Sequence, residues 1–236
     1  ISELPDYLAS ISKRAEPFLY LVVSEVEKEE MPIEIALLPI VESDYYPFSY
    51  SHGTATGIWQ FIPSTGRMYG LDEDWWHEDR RDVLASTKAA VQYLKDLNQM
   101  FDGDWLLSIA AYNAGPGRVQ RAIDNNIKQG KKIDYWSLDL PKETEKYVPK
   151  LLALAKVLKD PDRFNQKLTM IENKPYLEPV KLESQFDLAL IAQWTNLSID
   201  EIYSFNPGLK RWATPETIPY KICLLYTSDA ADELRS

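Results

Sequence analysis

The sequence predicts a mainly α protein, with an all-helical, loop-rich domain over residues 1–160 and a small α+β module over residues 161–222. In the first part, apolar residues recur at helical spacing in several long segments, and no alternating strand pattern precedes Asp162. Beyond that point the pattern changes to short β-like runs, Lys167–Ile171 and Pro179–Leu182, together with two short helices. This order is typical of an α domain followed by a separate small unit.

Turn and capping residues divide the two parts into individual elements. Pro39 lies inside a helix that starts near Pro32, and it should kink that helix just before Glu42. Gly66 and Gly70 are expected in turns. The small module lacks a closing strand in this pattern. We predict helices over the following segments: Leu4–Glu30, Ile58–Met68 with an interruption at Pro63, Val83–Phe101, Trp105–Tyr112, Arg118–Gln129, Lys142–Lys159, Asp187–Thr195 and Ile199–Phe205.

Charge and composition exclude several classes of function. The net charge of -10 over 236 residues leaves no basic stripe for phosphates, so we expect no nucleic-acid partner. No apolar run is long enough to span a bilayer. The chain opens at Ile1 without a leader, and we expect a fragment whose membrane contact, if any, depends on an anchor outside it. The lone cysteine, Cys223, has no partner for an internal disulfide, and we expect a monomer.

The tail over residues 223–236 differs in character from the rest of the chain. From Cys223 to Glu233 it reads CLLYTSDAADE, which resembles the conceptual translation of a transposase sequencing adapter. We therefore expect residues 223–236 to be an artefact, and we leave them out of the fold prediction.

Glu42 is the first candidate for chemistry. The apolar run Ile35–Val41 leads directly to Glu42 and Ser43. A carboxyl at the end of an apolar element is partly desolvated, and the carbonyl-rich end of a helix adds negative potential beside it. Both effects help the carboxyl keep its proton near neutral pH, as a general acid requires. The alternative is an exposed glutamate at a helix end, which is the commoner environment for this residue.

Three further motifs carry polar groups that can face one cleft. The segment Gly57-Ile58-Trp59-Gln60 combines a glycine that permits close approach with an amide, although the same residues also make an ordinary turn. The segment Ala111-Tyr112-Asn113-Ala114-Gly115 places polar residues at a helix end, which close helix packing with an Asn-Gly cap also explains. Tyr147, in the last long helix, is unremarkable alone.

Taken in this order, the four motifs resemble the signature of the family 1 lytic transglycosylases, whose SLT domain has a goose-type-lysozyme-like fold. Glu42-Ser43 is similar to the family's Glu-Ser, and Gly57 to Gln60 to its Gly-x-x-Gln; Ala111 to Gly115 and Tyr147 follow in the same way. The similarity covers about residues 10 to 160. The residues between and around the motifs are also similar to those of the membrane-bound D group of the family. Ile62, where other branches have Met, is a conservative departure.

The resemblance implies a reaction and a role for each matched residue. The family cleaves the β-1,4 bond between N-acetylmuramic acid and N-acetylglucosamine in peptidoglycan without water, leaving 1,6-anhydro ends. It implies that Glu42 acts as acid and then as base, and that Tyr147 orients it. It also implies peptidoglycan glycan strands as the partner, the periplasm or cell envelope as the location, and neither cofactor nor metal. The implied substrate-binding residues are Ser43, Gln60, Ile62, Tyr112 and Asn113.

Some residues near these motifs have less specific expectations. Asp44 is the local candidate for a second carboxylate, but adjacent residues on a helix or turn point apart. His52 and His77 lack a spaced carboxylate partner, and we expect free surface histidines rather than metal ligands. The segment Leu71–Asp79 is expected to border the glycan groove, where Trp75 or Trp76 either stacks on a sugar or packs in the core.

The sequence leaves two questions open: what the second module does, and which of the rival functions the chain has. Residues Tyr176–Trp212 resemble the glycan-binding LysM module or a degenerate relative of it, and the sequence does not decide between binding glycan and packing on the first domain. One rival function is a hydrolytic muramidase on the same fold, which needs a second carboxylate to place a water. The other is a catalytically silent peptidoglycan-binding protein, against which the retention of Glu42 with Gln60 and Tyr147 argues.

Overall fold

The computed structural model describes residues 6–51 and 54–226, and in them it contains nine α-helices and one two-stranded sheet. Within this part of the chain, no helix is both long enough and apolar enough to cross a membrane. Three short 3-10 helices span Ile33–Leu37, Tyr135–Ser137 and Asp162–Phe164. The α-helices are α1 Tyr7–Lys28, α2 Leu38–Ser43, α3 Pro63–Met68, α4 Val83–Met100, α5 Trp105–Ala114, α6 Pro116–Lys128, α7 Lys142–Lys159, α8 Leu188–Thr195 and α9 Ile199–Phe205, and the strands are β1 Leu177–Leu182 and β2 Tyr220–Leu225.

Helix α5 lies at the centre of the first domain, in contact with α4, α6 and α7. Its residues Ser108, Ala110 and Ala111 have no exposed surface, and their small side chains let the neighbouring helices come close. The Asp104 carboxylate caps the helix by accepting from the backbone N–H groups of Leu106 and Leu107. The C-terminal end of α5, which carries the polar residues Tyr112 and Asn113, therefore lies at the centre of the domain.

The predicted helices α4 to α9 are confirmed to within two residues at each end. Lys142–Lys159 has the predicted bounds, and Ser198 caps α9 through a capping box with Glu201. Leu4, the predicted start of α1, lies outside the described residues, among which α1 begins at Tyr7.

The prediction for Pro39 is wrong in one respect. A 3-10 helix ends at Leu37, and Pro39 lies in the first turn of a new helix, α2, where its missing N–H costs nothing. The chain is thus re-aimed by a break between two helices and not by a kink. Pro63 likewise starts α3 instead of interrupting a longer helix, and Gly66 lies inside α3 instead of in a turn.

The second module contains the closing strand that the sequence pattern appeared to lack, so that prediction is wrong. Strands β1 and β2 pair antiparallel, from Leu177 opposite Leu225 to Leu182 opposite Tyr220. Residues 167–171, predicted as β-like, form no strand. Helices α8 and α9 pack with the sheet around a separate apolar core that includes Val180, Ile191, Ile202 and Ile222.

The buried side chain of Asn206 joins α9 to β2. Its Nδ2 donates to the carbonyl of Cys223 at 2.7 Å, and its Oδ1 accepts from the N–H of Cys223 at 2.6 Å. Residues 223–225, the start of the segment expected to be an adapter artefact, thus form part of β2. The adapter origin of residues 223–236 stays a prediction, and residues 227–236 lie outside the described part.

The module docks on the segment Leu71–Asp79 through backbone and charged contacts. The N–H of Glu78 donates to the carbonyl of Gly208 at 2.9 Å, and that of Lys210 donates to the carbonyl of Trp76 at 2.8 Å. The Lys210 ammonium also lies 2.9 Å from Oε1 of Glu73. This segment was expected to border the glycan groove, but the second module packs against it instead.

Aromatic contacts complete this docking surface. The rings of Trp76 and Trp212 meet edge to face with centroids 5.6 Å apart. The Arg211 guanidinium lies 3.8 Å from the centroid of the exposed Trp75 ring. Neither Trp75 nor Trp76 lines the cleft described below, so both tryptophans serve the contact between the domains.

His77 is buried, which corrects the expectation of a free surface histidine. Its Nδ1 lies 2.9 Å from Asp79 and its Nε2 lies 3.4 Å from Asp82. Burial lowers the pKa of His77, but the two carboxylates outweigh that effect and raise it to about 9. His52 lies outside the described residues. Among the residues that are described, no His, Cys, Asp and Glu side chains are grouped to hold a metal ion.

We predict that Gly208→Ala weakens the docking of the module. A Cβ at this position would lie 2.3 Å from Nε2 of His77 and 3.0 Å from the carbonyl of Glu78, in a space that has no room for it. Overpacking of this kind costs about 1–3 kcal/mol. Scanning calorimetry should show an earlier transition, shifted by roughly 2–4 °C for each kcal/mol lost.

Gly117→Ala is the matched control, because a Cβ there meets only Nη1 of Arg121 at an ordinary 3.5 Å. An unfolding curve of Gly208→Ala that coincides with that of Gly117→Ala would contradict the docking contact.

Candidate active site

The four sequence motifs converge on one cleft of about 600 Å³ in the first domain. Helix α2 brings Glu42, the turn after Gly57 brings Gln60, α5 brings Tyr112 and Asn113, and α7 brings Tyr147. Six of the seven predicted site residues line this cleft: Glu42, Gln60, Ile62, Tyr112, Asn113 and Tyr147. The seventh, Ser43, does not line it.

Glu42 sits at the C-terminal end of α2 in a partly buried position. Its Oε1 accepts a hydrogen bond from the phenol hydroxyl of Tyr147. Burial raises the pKa of Glu42 to about 7; the Tyr147 hydrogen bond and the charge of Lys150 act in the opposite direction, and Glu143 adds to the rise. This carboxyl therefore exchanges a proton near neutral pH.

Tyr147 is buried and stays protonated. Burial raises its pKa well above the usual value, and the neighbouring charge of Glu42 acts in the same direction. Because the phenol keeps its proton, it can donate to Glu42, and this hydrogen bond orients the carboxyl group.

The turn from Gly57 to Gln60 has an unusual backbone, with a positive φ at both of its ends, and the surrounding contacts stabilise it. Gly57 has φ +81°, and a Cβ there would lie 2.1 Å from the carbonyl oxygen of Arg80. Gln60 also has a positive φ, 50°. Its Nε2 donates to the carbonyl of Gly57 at 2.8 Å and to that of Ser49 at 3.3 Å. Both amide hydrogens are thus used inside the loop, which leaves only Oε1 for a ligand.

Arg80 also supports this loop, although no feature of the sequence predicted it as a site residue. The buried guanidinium donates to the carbonyl of Thr54 at 2.9 Å and to that of Phe61 at 3.3 Å, and it pairs with the buried Glu78. No motif or spacing in the sequence distinguishes Arg80 from its neighbour Arg81 as the residue that supports the loop. The close approach of its backbone to Gly57 becomes visible only in the folded chain.

Ser43 joins α2 to the Gly57–Gln60 turn. Its hydroxyl lies 3.0 Å from the carbonyl of Pro39 and 3.0 Å from that of Ile58. The single hydroxyl hydrogen is shared between these two acceptors, so Ser43 holds the element that carries Glu42 against the turn.

Tyr112 and Asn113 are also tied to the surrounding protein. The Tyr112 hydroxyl donates to the carbonyl of Trp59 at 2.8 Å. Oδ1 of Asn113 accepts from the hydroxyl of Thr144 at 2.8 Å, and its Nδ2 donates to Glu143 at 3.3 Å. The groups that stay available to a ligand are the oxygen lone pairs of Tyr112, one N–H of Asn113 and the second lone pair of its Oδ1.

The first domain and the second module both match known families. A family model described as transglycosylase SLT domain matches residues 22–135. Another, described as lytic transglycosylase MltD, LysM-like domain, matches residues 176–226. Membrane-bound lytic murein transglycosylase D of Escherichia coli (strain K12) is 48% identical over 204 residues. A relative from Alteromonas sp. (strain M-1), named for tributyltin chloride resistance, is 37% identical over 188 residues, which cover 80% of this chain and 89% of that protein. The chain belongs to the SLT transglycosylase family.

The coverage of the E. coli relative differs between the two chains. The match takes in 86% of this chain and 45% of the relative, so the chain spans less than half of that protein. Among solved structures, the 70 kDa soluble lytic transglycosylase of E. coli is 23% identical, covers 62% of this chain and 25% of its own, and has a TM-score of 0.45. The predicted family, the mainly α fold and the LysM-like character of the second module are confirmed.

Three charged residues of the SLT domain cleft were not predicted: Glu143, Lys146 and Lys150. All three lie on α7, at positions four before, one before and three after Tyr147. Positions three or four apart share a helix face, so the helical repeat contained a signal for Glu143 and Lys150. Lys146 reaches the cleft from the edge of that face.

Tyr147→Phe should raise the pKa of Glu42 above its value of about 7, because the hydrogen bond that favours the charged carboxylate is lost. Side-chain ¹³C NMR titration measures this pKa, and the Glu42→Gln spectrum assigns the signal. Tyr203→Phe is the control, since the Tyr203 hydroxyl donates to the backbone carbonyl of Arg211 in the second module. A pKa that falls or stays constant in Tyr147→Phe would argue against this hydrogen bond.

Proposed function

We propose that this chain is a peptidoglycan lytic transglycosylase that uses Glu42 as its single acid and base. The observation that carries the proposal is the partly buried Glu42, with a pKa of about 7, held by Tyr147 in an open cleft. At neutral pH a large fraction of Glu42 keeps its proton, which suits a general acid. Membership of the SLT family supports the same reaction.

In the first step, the protonated Glu42 donates to the oxygen that links the muramyl C1 to the next sugar. The C1–O bond breaks, the proton goes to the leaving hydroxyl, and positive charge develops at C1. Glu42 is then a carboxylate, and the hydrogen bond from Tyr147 stabilises that charged form.

In the second step, the Glu42 carboxylate takes the proton of the muramyl 6-hydroxyl. O6 forms a bond to C1 of the same sugar, which gives a 1,6-anhydro end. The proton returns to Glu42 and no water is consumed, so the cycle needs one carboxylate and no cofactor. In this reaction Tyr147 orients the carboxyl group, and Gln60, Ile62, Tyr112 and Asn113 bind the muramyl sugar, with Ser43 supporting them.

The positions of the other carboxylates favour this reaction over hydrolysis. Asp44 accepts from the Tyr7 hydroxyl at 2.5 Å, and its carbonyl accepts from Arg14, so it faces α1. Glu143 does line the cleft, but it accepts from Asn113. A hydrolytic muramidase would need Glu143 to place a water, which makes it the residue to examine if hydrolysis occurs.

The proposed substrate sets the partner and the place of action. We assign peptidoglycan glycan strands as the partner and the periplasm or cell envelope as the location, with the chain acting as a monomer. The relative's name describes a membrane-bound protein, and we propose that this chain acts in the same setting. The LysM-like module at residues 176–226 is proposed to contact the same polymer.

Glu42→Gln should abolish release of 1,6-anhydro muropeptides from purified peptidoglycan, a loss of at least about 10³-fold, since an amide cannot donate and then accept the proton. Mass spectrometry of the released products measures this. Glu34→Gln, an exposed glutamate ahead of α2, is the control and should retain full activity.

The products also separate the rival functions. Anhydro ends that depend on Glu42 support the transglycosylase. Reducing ends, one water heavier, would replace it by the muramidase, and pelleting with peptidoglycan without any product would favour a binding protein.

The rate at limiting substrate should fall as pH rises through about 7, because the first step needs the protonated form of Glu42. Glu143→Gln should move this descending limb to lower pH, since the negative charge of Glu143 raises the pKa of Glu42. Glu145→Gln, on the same helix but outside the cleft, should leave the limb in place. A limb that does not move in Glu143→Gln, or that lies near pH 4, would contradict this assignment.

A further inference from the structure

Lys146 and Lys150 form a pair of cations on the cleft wall that acid chemistry does not explain. They lie one turn apart on α7, on either side of Tyr147 in the sequence, and both line the cleft. Within residues 6–51 and 54–226, no Asp or Glu oxygen lies within 4.0 Å of either ammonium. The chain as a whole has 36 acidic and 26 basic residues, so acidic partners are abundant elsewhere.

Lys150 is held beside α2, the helix that carries Glu42. Its Nζ donates to the carbonyl of Val41 at 3.3 Å, next to Glu42. The remaining N–H groups of this ammonium have no protein acceptor among the contacts described. A positive charge here favours the ionised form of Glu42, so it lowers the fraction of Glu42 that holds a proton at neutral pH.

Glu143 is not the partner of these lysines. It lies on the same helix and lines the same cleft, but its Oε1 accepts from Asn113 at 3.3 Å. The wall thus has two parts, an acidic one that is bound to the protein and a cationic one that is open to a ligand.

We propose that Lys146 and Lys150 bind a carboxylate carried by the lactyl substituent of the muramyl sugar. This inference rests on the proposed function, which places C1 and O6 of that sugar at Glu42. The substituent leaves the same ring at O3, and the two lysines, four residues apart on α7, are separated by about 6 Å along the helix axis. Of the two alternating sugars, only the muramyl sugar bears an acidic group. Two ammonium groups recognise it through charge-assisted hydrogen bonds.

The carboxylate has two possible sources. In a glycan without peptides it is the free lactyl carboxylate. In a glycan with peptides the lactyl group is an amide, and the nearest carboxylate belongs to the second residue of the stem. Both present the same chemistry to the lysines, and matched probes distinguish them.

Binding to the inactive Glu42→Gln chain tests the proposal without cleavage. The first probe pair is a muramyl-containing tetrasaccharide with free lactyl carboxylates and the same sugar capped as methylamides. The second pair bears a dipeptide stem whose second-residue carboxylate is free or amidated. Isothermal calorimetry should give about tenfold tighter binding for the charged member of at least one pair. The pair that shows the difference identifies the source.

Adding Lys146→Gln and Lys150→Gln should remove this charge preference and leave the affinity for the neutral probes unchanged. The matched control is Lys142→Gln, an exposed lysine at the start of α7 that does not line the cleft, and it should retain the preference. Both cleft lysines are exposed, and an unchanged melting temperature of each variant verifies folding. The proposal is overturned if the double substitution weakens charged and neutral probes equally, or if charged probes never bind more tightly.

The proposed function fails through a different readout. It depends on 1,6-anhydro ends released by the chain with Glu42 intact, which the binding measurements do not involve. Release of those ends without a charge preference would leave the transglycosylase standing and remove only the carboxylate site.

Discussion

The hydrogen bond from Tyr147 to Glu42 is the contact on which the rest of the site depends. It joins α7 to α2 across 105 positions of sequence, and it is partly buried. Burial favours the neutral carboxyl of Glu42, whereas the hydrogen bond from the phenol favours the charged carboxylate. The result is a proton that is held at neutral pH and is still easy to release.

Most of the polar side chains of the motifs are used to build the cleft. Both amide hydrogens of Gln60 donate within its own loop, Tyr112 donates to the carbonyl of Trp59, and Asn113 accepts from Thr144. Groups that are fixed before a ligand arrives lose little freedom on binding, which is the physical basis of preorganisation. The motif residues therefore form a frame around Glu42, with a few hydrogen-bonding groups left for a ligand.

The sequence was sufficient for the elements that depend on local chemistry. Helix α7 has the predicted bounds because its apolar repeat is regular, and Asp104 and Ser198 cap α5 and α9 through contacts within three residues of sequence. The motif order also led to Glu42 and Tyr147. Pairing of distant segments was not readable in this way. Strand β2 became evident only through its partner β1, and the buried position of His77 only through the docking of the second module.

The two sides of the cleft differ in charge. On the side of the Gly57–Gln60 turn and α5, Gln60, Tyr112 and Asn113 are neutral and already hydrogen-bonded to the protein. On the side of α7, Glu143, Lys146 and Lys150 are charged. A ligand in this cleft therefore meets fixed neutral groups on one flank and charged side chains on the other, so the two faces of a flat ring placed between them are not equivalent.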